Sequence, residues 1–129
     1  MSAAKEKSNL WILMVDDEDI VLDVGAQMLE KIGYNVFKAK NGKAAVDIFR
    51  ENRERICLVI LDLAMPEMDG EATFELLKEI QPEVKVLISS GVSIPEEIGD
   101  QLKYGCNGFI HKPFNLNNLS LKVEEIISR

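Results

Sequence analysis

A chain of 129 residues, 47% hydrophobic and 29% charged, fits one globular domain and leaves little for a second. No apolar run approaches the ~20 residues of a membrane span, and the opening MSAAKEKSNL lacks the apolar core of a secretion signal, so 1–9 reads as a polar arm ahead of a domain over 10–129. The net charge of −7 repels phosphate backbones and argues against direct nucleic-acid binding.

The elements follow in order. Trp11–Val15 is a nearly continuous apolar run, as expected of a strand buried on both faces of a parallel sheet. Val21, Val24, Met28 and Ile32 then recur at helical spacing and predict a first helix with those residues inward, closed by Gly33. Asn35–Ala39 is shorter and mixed, as an edge strand would be, and Asn41 is a good N-cap for a second helix. Cys57–Leu61 is a second buried strand, followed by a helix with Ala72, Leu76 and Ile80 on one face. Val84–Ile88 is a third buried strand, and Pro95 suits the first turn of a fourth helix. Gly108–Ile110 is a second edge strand. Asn115 caps a fifth helix carrying Leu119, Val123 and Ile126, with Phe114 and Leu119 placed as a hydrophobic staple.

Strand and helix thus alternate five times, which implies a parallel sheet with right-handed crossovers and helices on both faces. The last helical pattern runs to the end of the sequence, so no appended effector domain is expected, although the same pattern would suit a domain cut from a longer protein. Cys57 and Cys106 sit in or beside apolar segments without a CxxC pair, and only one histidine is present. Buried free thiols are expected, and with the missing signal they point to the cytoplasm.

In an open parallel sheet, chemistry gathers at the carboxyl ends of the strands. The residues after the first, third, fourth and fifth runs are Asp16-Asp17-Glu18-Asp19, Asp62, Ser89-Ser90-Gly91 and His111-Lys112-Pro113. Each has a plain structural alternative. Acids after a strand cap the next helix, a lone Asp or Ser fits a turn, and a lone lysine is usually solvated. Their convergence carries the signal. Like charges ~4 Å apart at an effective dielectric near 20 repel by about 4 kcal/mol per pair, and a hard divalent cation such as Mg²⁺ relieves that repulsion.

Four segments, VDDE (Val15–Glu18), LDLAMPEMDG (Leu61–Gly70), LISSG (Leu87–Gly91) and GFIHKPF (Gly108–Phe114), resemble the receiver domain of two-component response regulators, over about Leu10 to Ile127. The resemblance implies a flavodoxin-like (βα)5 three-layer α/β sandwich with a parallel five-stranded sheet in the order 2-1-3-4-5. It implies that Asp62 takes a phosphoryl group from a phosphohistidine of a sensor histidine kinase or phosphotransfer protein. Mg²⁺ would be held by Asp17, Asp62 and the backbone carbonyl of Ala64, with Asp16 acting through a water. Lys112 would pair with Asp62 at rest and with the phosphoryl group afterwards, Ser90 would move to bond a phosphoryl oxygen, and Gly91 would leave the mouth open. A cis Lys112–Pro113 bond would aim Lys112 inward, and Pro66, Asp69 and Gly70 would build the loop after Asp62. Ser90 and Phe109 would form a switch altering the face of helix four, strand five and helix five for a downstream protein partner. A phosphorylation-dependent homodimer is compatible with this. The chain would be no enzyme beyond its own phosphorylation and slow dephosphorylation.

Other features read more plainly. By period-two alternation His111 faces away from Lys112. Met65 and Met68 suit packing or kinase contact better than ligation. The plainer alternative for Phe109 is a fixed core aromatic. Trp11 lies five residues before Asp16, roughly 16 Å along a strand. Ala64 and Val92, which follow Asp62 and Ser90 by two, offer no group to orient water, so the acyl phosphate should not be especially short-lived. Three other functions fit the residues less well. A phosphatase with an aspartyl-phosphate intermediate usually carries a second Asp where Ala64 stands. A degenerate, purely structural receiver would not need Asp16, Asp17, Asp62, Ser90 and Lys112 together. A flavin or nucleotide binder lacks a glycine-rich loop after the first strand.

Overall fold

The computed structural model describes residues 9–63, 70–91 and 106–128. Five strands, β1 (Trp11–Val15), β2 (Asn35–Ala39), β3 (Ile56–Asp62), β4 (Val86–Ser90) and β5 (Gly108–His111), form one parallel sheet in the order β2-β1-β3-β4-β5. Four helices lie among the described residues: α1 (Asp19–Lys31), α2 (Gly42–Asn52), α3 (Gly70–Ile80) and α4 (Leu116–Ile127). The last is the fifth helix of the sequence reading. The fourth, with Pro95, falls outside the described residues, as do most of the N-terminal arm, the Ala64–Asp69 loop segment and Val92.

Side-chain alternation divides the core in two. Leu13, Val15, Val59, Leu61, Val86 and Ile88 face α2 and α3 through Ala45, Phe49, Phe74 and Leu77. Ile12, Met14, Leu58, Ile60 and Leu87 face α1 and α4 through Leu22, Leu29, Leu119, Val123 and Ile126. The three central strands are therefore buried on both sides, which is why their sequences read as continuous apolar runs. Phe49 is fully buried in the first core, and truncating such a ring to alanine costs about 3–5 kcal/mol.

Local signals fix the helix ends. Gly33 has φ 109°, and its amide bonds Glu30 O while that of Tyr34 bonds Leu29 O, a Schellman closure of α1. The side chains of Asn41 and Asn115 accept from the amides of Ala44 and Asn118, each at 2.8 Å. Phe114 and Leu119 pack into the same core, as a staple requires.

Three expectations need correction. In α1 the inward residues are Leu22, Gly25, Ala26 and Leu29, while Val24 is exposed and Val21, Met28 and Ile32 are only half-buried. In α3 Thr73, Phe74 and Leu77 are buried rather than the row Ala72, Leu76, Ile80. In both helices small or polar residues face inward where the backbone approaches the sheet, so the most apolar row is not the innermost. Finally, β4 runs two residues later than expected, so Ser89 and Ser90 end the strand instead of following it.

Candidate functional site: an acidic trio and a lysine

Parallel pairing brings the carboxyl ends of β1, β3, β4 and β5 to one rim. Asp16 leaves β1 with its amide bonded to Ala39 O at 3.1 Å. Asp62 is the last residue of β3, in register with Ser89. The amide of Lys112 bonds Ser90 O at 2.8 Å, which ties the residue after β5 to the end of β4. The Lys112–Pro113 peptide bond is cis.

Carboxylate oxygens of Asp16, Asp17 and Asp62 lie within 4.8 Å of one another. Asp16 is 1% and Asp62 3% exposed, whereas Asp17 is open to solvent. Lys112 Nζ lies 2.6 Å from Asp16 Oδ2 and 3.3 Å from Asp62 Oδ2. Burial alone would lower the Lys112 pKa. Close contact with Asp16 and the charges of Asp62 and Asp16 outweigh that and leave it raised. The expected lysine pairing with Asp62 is present, but the shorter contact is to Asp16.

Asp16 Oδ1 accepts the Glu18 amide at 2.9 Å, while Oδ2 is buried and has no aligned hydrogen bond, so it meets Lys112 as an ion pair. Three carboxylates against one ammonium leave two negative charges uncompensated, the charge of one divalent cation. An all-oxygen set with an open side suits Mg²⁺. The residues present therefore fit such an ion. Ala64, whose carbonyl was expected to complete the set, lies outside the described residues.

Ser90 is buried at the end of β4. Phe109 is half-buried, packs on the α2–α3 side of the sheet, and pairs with Ile88, two residues before Ser90. Strand alternation puts Ser90 on the same side as Ile88, so Ser90 and Phe109 are diagonal neighbours on one face. A Cβ built on Gly91 meets nothing within 4 Å, consistent with an open mouth. Gly70 serves a different purpose from the turn expected of it. A Cβ there would lie 2.5 Å from Asp62 O and 2.6 Å from Leu63 Cα, so the start of α3 seats directly on the backbone carrying Asp62. His111 is exposed. Cys57 and Cys106 are free and half-buried, and burial pushes the Cys57 thiol up to about 11.

Beside the mouth, the sequence reading missed an apolar groove of about 410 Å³ lined by Ile20, Val21, Val24, Met28, Pro113 and Phe114. Its signal was the very Val21–Val24–Met28 row assigned to the core.

Comparison with known proteins agrees with this architecture. Residues 12–124 match the family model described as the response regulator receiver domain. Sensor kinase CckA of Brucella abortus is 32% identical over 98% of this chain, which spans 14% of that kinase. A receiver domain from Clostridium thermocellum has a TM-score of 0.86 at 30% identity, covering 93% of this chain and 95% of that one. The CheX–CheY–BeF3–Mg complex from Borrelia burgdorferi also gives 0.86, at 26% identity over 93% of this chain and 90% of that one. The chain belongs to the response regulator receiver family, with its flavodoxin-like fold, and is a receiver domain of two-component systems. No helix among the described residues is long and apolar enough to cross a membrane.

Proposed function

We propose that this receiver takes a phosphoryl group onto Asp62 from a phosphohistidine of a sensor kinase or phosphotransfer protein and signals by protein–protein contact. The observation that carries this reading is the acidic trio of Asp16, Asp17 and Asp62 held with Lys112 at one strand-end rim. An Asp62 carboxylate oxygen forms the new bond to phosphorus as the P–N bond to the donor imidazole breaks, and the released imidazole takes up a proton from solvent. A carboxylate is a weak nucleophile, so the gain must come from alignment and charge compensation. Asp17, Asp62, the Ala64 carbonyl and, through a water, Asp16 would hold Mg²⁺, which when bound offsets the charge of the phosphoryl oxygens. Lys112, 3.3 Å from Asp62 Oδ2, is placed to take one phosphoryl oxygen. Ser90 takes another, and Phe109 follows into the space it leaves.

The donor is a protein, a choice supported by the exposed apolar groove next to Gly91 and Lys112. The BeF3–Mg complex of the Borrelia relative, named with its partner CheX, supports both the chemistry and the protein contact. Downstream, the face of β5 and α4 contacts a protein partner or a second copy, in the cytoplasm. Turnover is limited to the chain's own phosphorylation and slow dephosphorylation. Incubation with acetyl phosphate and Mg²⁺ followed by intact mass tests the reading. One added phosphoryl group is expected in wild type and none in Asp62→Asn; equal gain by both proteins would refute it.

A further inference from the structure

We propose that the turn closing α2 is a docking cup for a protein partner that presents acidic side chains, recognised by the guanidinium groups of Arg50, Arg53 and Arg55. The cup lies at the amino end of β3, which runs from Ile56 to Asp62, so along that strand it stands roughly 20 Å from the acidic rim. It encloses about 340 Å³ and is walled by residues 50–55. Its backbone is pinned. The Arg55 amide bonds Asn52 O at 2.8 Å and the Trp11 amide bonds Arg55 O at 3.4 Å, while the Asn52 side chain donates to Ile48 O at 2.9 Å. All three arginines are exposed. Arg50 and Glu54, like Glu51 and Arg55, are four apart, the spacing at which helical ion pairs form. The helix ends at Asn52, however, and among the described residues no ion pair joins either couple. A helix carboxyl end favours a nearby cation, which accounts for one arginine but not for three in six residues of a chain with net charge −7. Guanidinium forks match carboxylates bidentately, and arginine is enriched among the residues that dominate protein interfaces. Glu51 and Glu54 in the same wall select the class of partner. They would repel the uniform negative surface of a nucleic acid or an anionic membrane, and they suit a protein segment in which acids stand among bases.

The probe is a synthetic peptide of repeating Glu-Glu-Lys, titrated into the full chain and followed by backbone amide NMR shifts. Wild type is compared with the triple variant Arg50→Gln/Arg53→Gln/Arg55→Gln, with the same three positions changed to lysine, and with the control Lys31→Gln/Lys43→Gln/Lys122→Gln, each checked for folding by circular dichroism. The peptide should shift the amides of residues 50–56 in wild type. The glutamine triple should weaken binding by at least about 10-fold, the scale of one lost charge-assisted hydrogen bond. The lysine triple keeps the charge but loses the fork, and should weaken it by about 3-fold. The control should stay within about 2-fold of wild type. No shift at residues 50–56 would overturn the proposal. So would an equal loss in the control, or undiminished binding by the lysine triple, since either would reduce the effect to general attraction between charges. Phosphatidylserine vesicles or inorganic phosphate shifting the same amides as strongly as the peptide would overturn the choice of a protein partner. Sedimentation of wild type alone supplies a further check: self-association that the glutamine triple abolishes would make a second copy the occupant and overturn the proposal.

Discussion

Gly70→Ala isolates how the start of α3 supports Asp62. The added Cβ would lie 2.5 Å from Asp62 O, 2.6 Å from Leu63 Cα and 2.8 Å from Leu63 O. All three are backbone atoms, so no side chain can swing away. Overpacking of this kind costs typically 1–3 kcal/mol. Alanine returns up to ~1 kcal/mol of helix propensity. The net loss is about 1–2 kcal/mol, or roughly 4–8 °C in Tm for a domain of this size. Two other glycines calibrate the reasoning. At Gly25 the clash is with the flexible end of Met14, so Gly25→Ala should cost less, about 1 kcal/mol. At Gly91 nothing is met, so Gly91→Ala should stay within about 0.5 kcal/mol. Thermal unfolding of the three variants supplies the order. Gly70→Ala should also slow acetyl-phosphate labelling of still-folded protein, because the main chain at Asp62 must shift. A Gly70→Ala protein as stable as wild type, or a Gly91→Ala protein as damaged as Gly70→Ala, would refute the reasoning.

Three further outcomes are expected. In chelator, Asp62→Asn should raise stability by about 1–2 kcal/mol, since it removes one of three carboxylates clustered around a single ammonium; with Mg²⁺ the order should reverse, wild type gaining about 1.4 kcal/mol per tenfold excess over Kd. Stability should fall between about pH 9 and 12: the Cys57 thiol is raised from 9.0 to about 11 and the Tyr34 hydroxyl from 10.0 to about 12, so the unfolded chain loses these protons first. Cys57→Ala should delay the onset in pH-dependent melts, and an unchanged onset would count against burial of the thiol. Trp11 begins β1, stacked on Phe37 at 4.3 Å, at the end of the strand remote from Asp16, so Mg²⁺ should leave its fluorescence nearly unchanged; a strong quench would show the rim to be misplaced.

The parallel sheet and the rim were legible in the sequence because each rests on a discrete signal, whereas the strand order 2-1-3-4-5 came only with the resemblance to receiver domains. Continuous Val, Ile and Leu runs mark strands buried on both faces, and acids directly after such strands have one place to go. The helix phases of α1 and α3 were not legible. Gly25, Ala26 and Thr73 face inward because close packing needs small side chains, and a row of apolar residues beside them looks more core-like than they do. Val24 and Met28 therefore read as core although they border the groove. The limits of β4 were missed for a related reason: Ser89 and Ser90 are polar yet buried in the strand. The preference of Lys112 for Asp16 over Asp62 depends on a difference of less than an ångström between two contacts, which no spacing in the chain encodes.

The most direct test of the phosphoryl-accepting reading locates the group by residue. After incubation with acetyl phosphate and Mg²⁺, borohydride reduces an aspartyl phosphate to homoserine, and peptide mass spectrometry finds its position. Homoserine is expected at residue 62 alone, and only when donor and Mg²⁺ are both supplied. Homoserine at residue 16 or 17, or a phosphoryl group on Ser90 or His111 with residue 62 untouched, would contradict it.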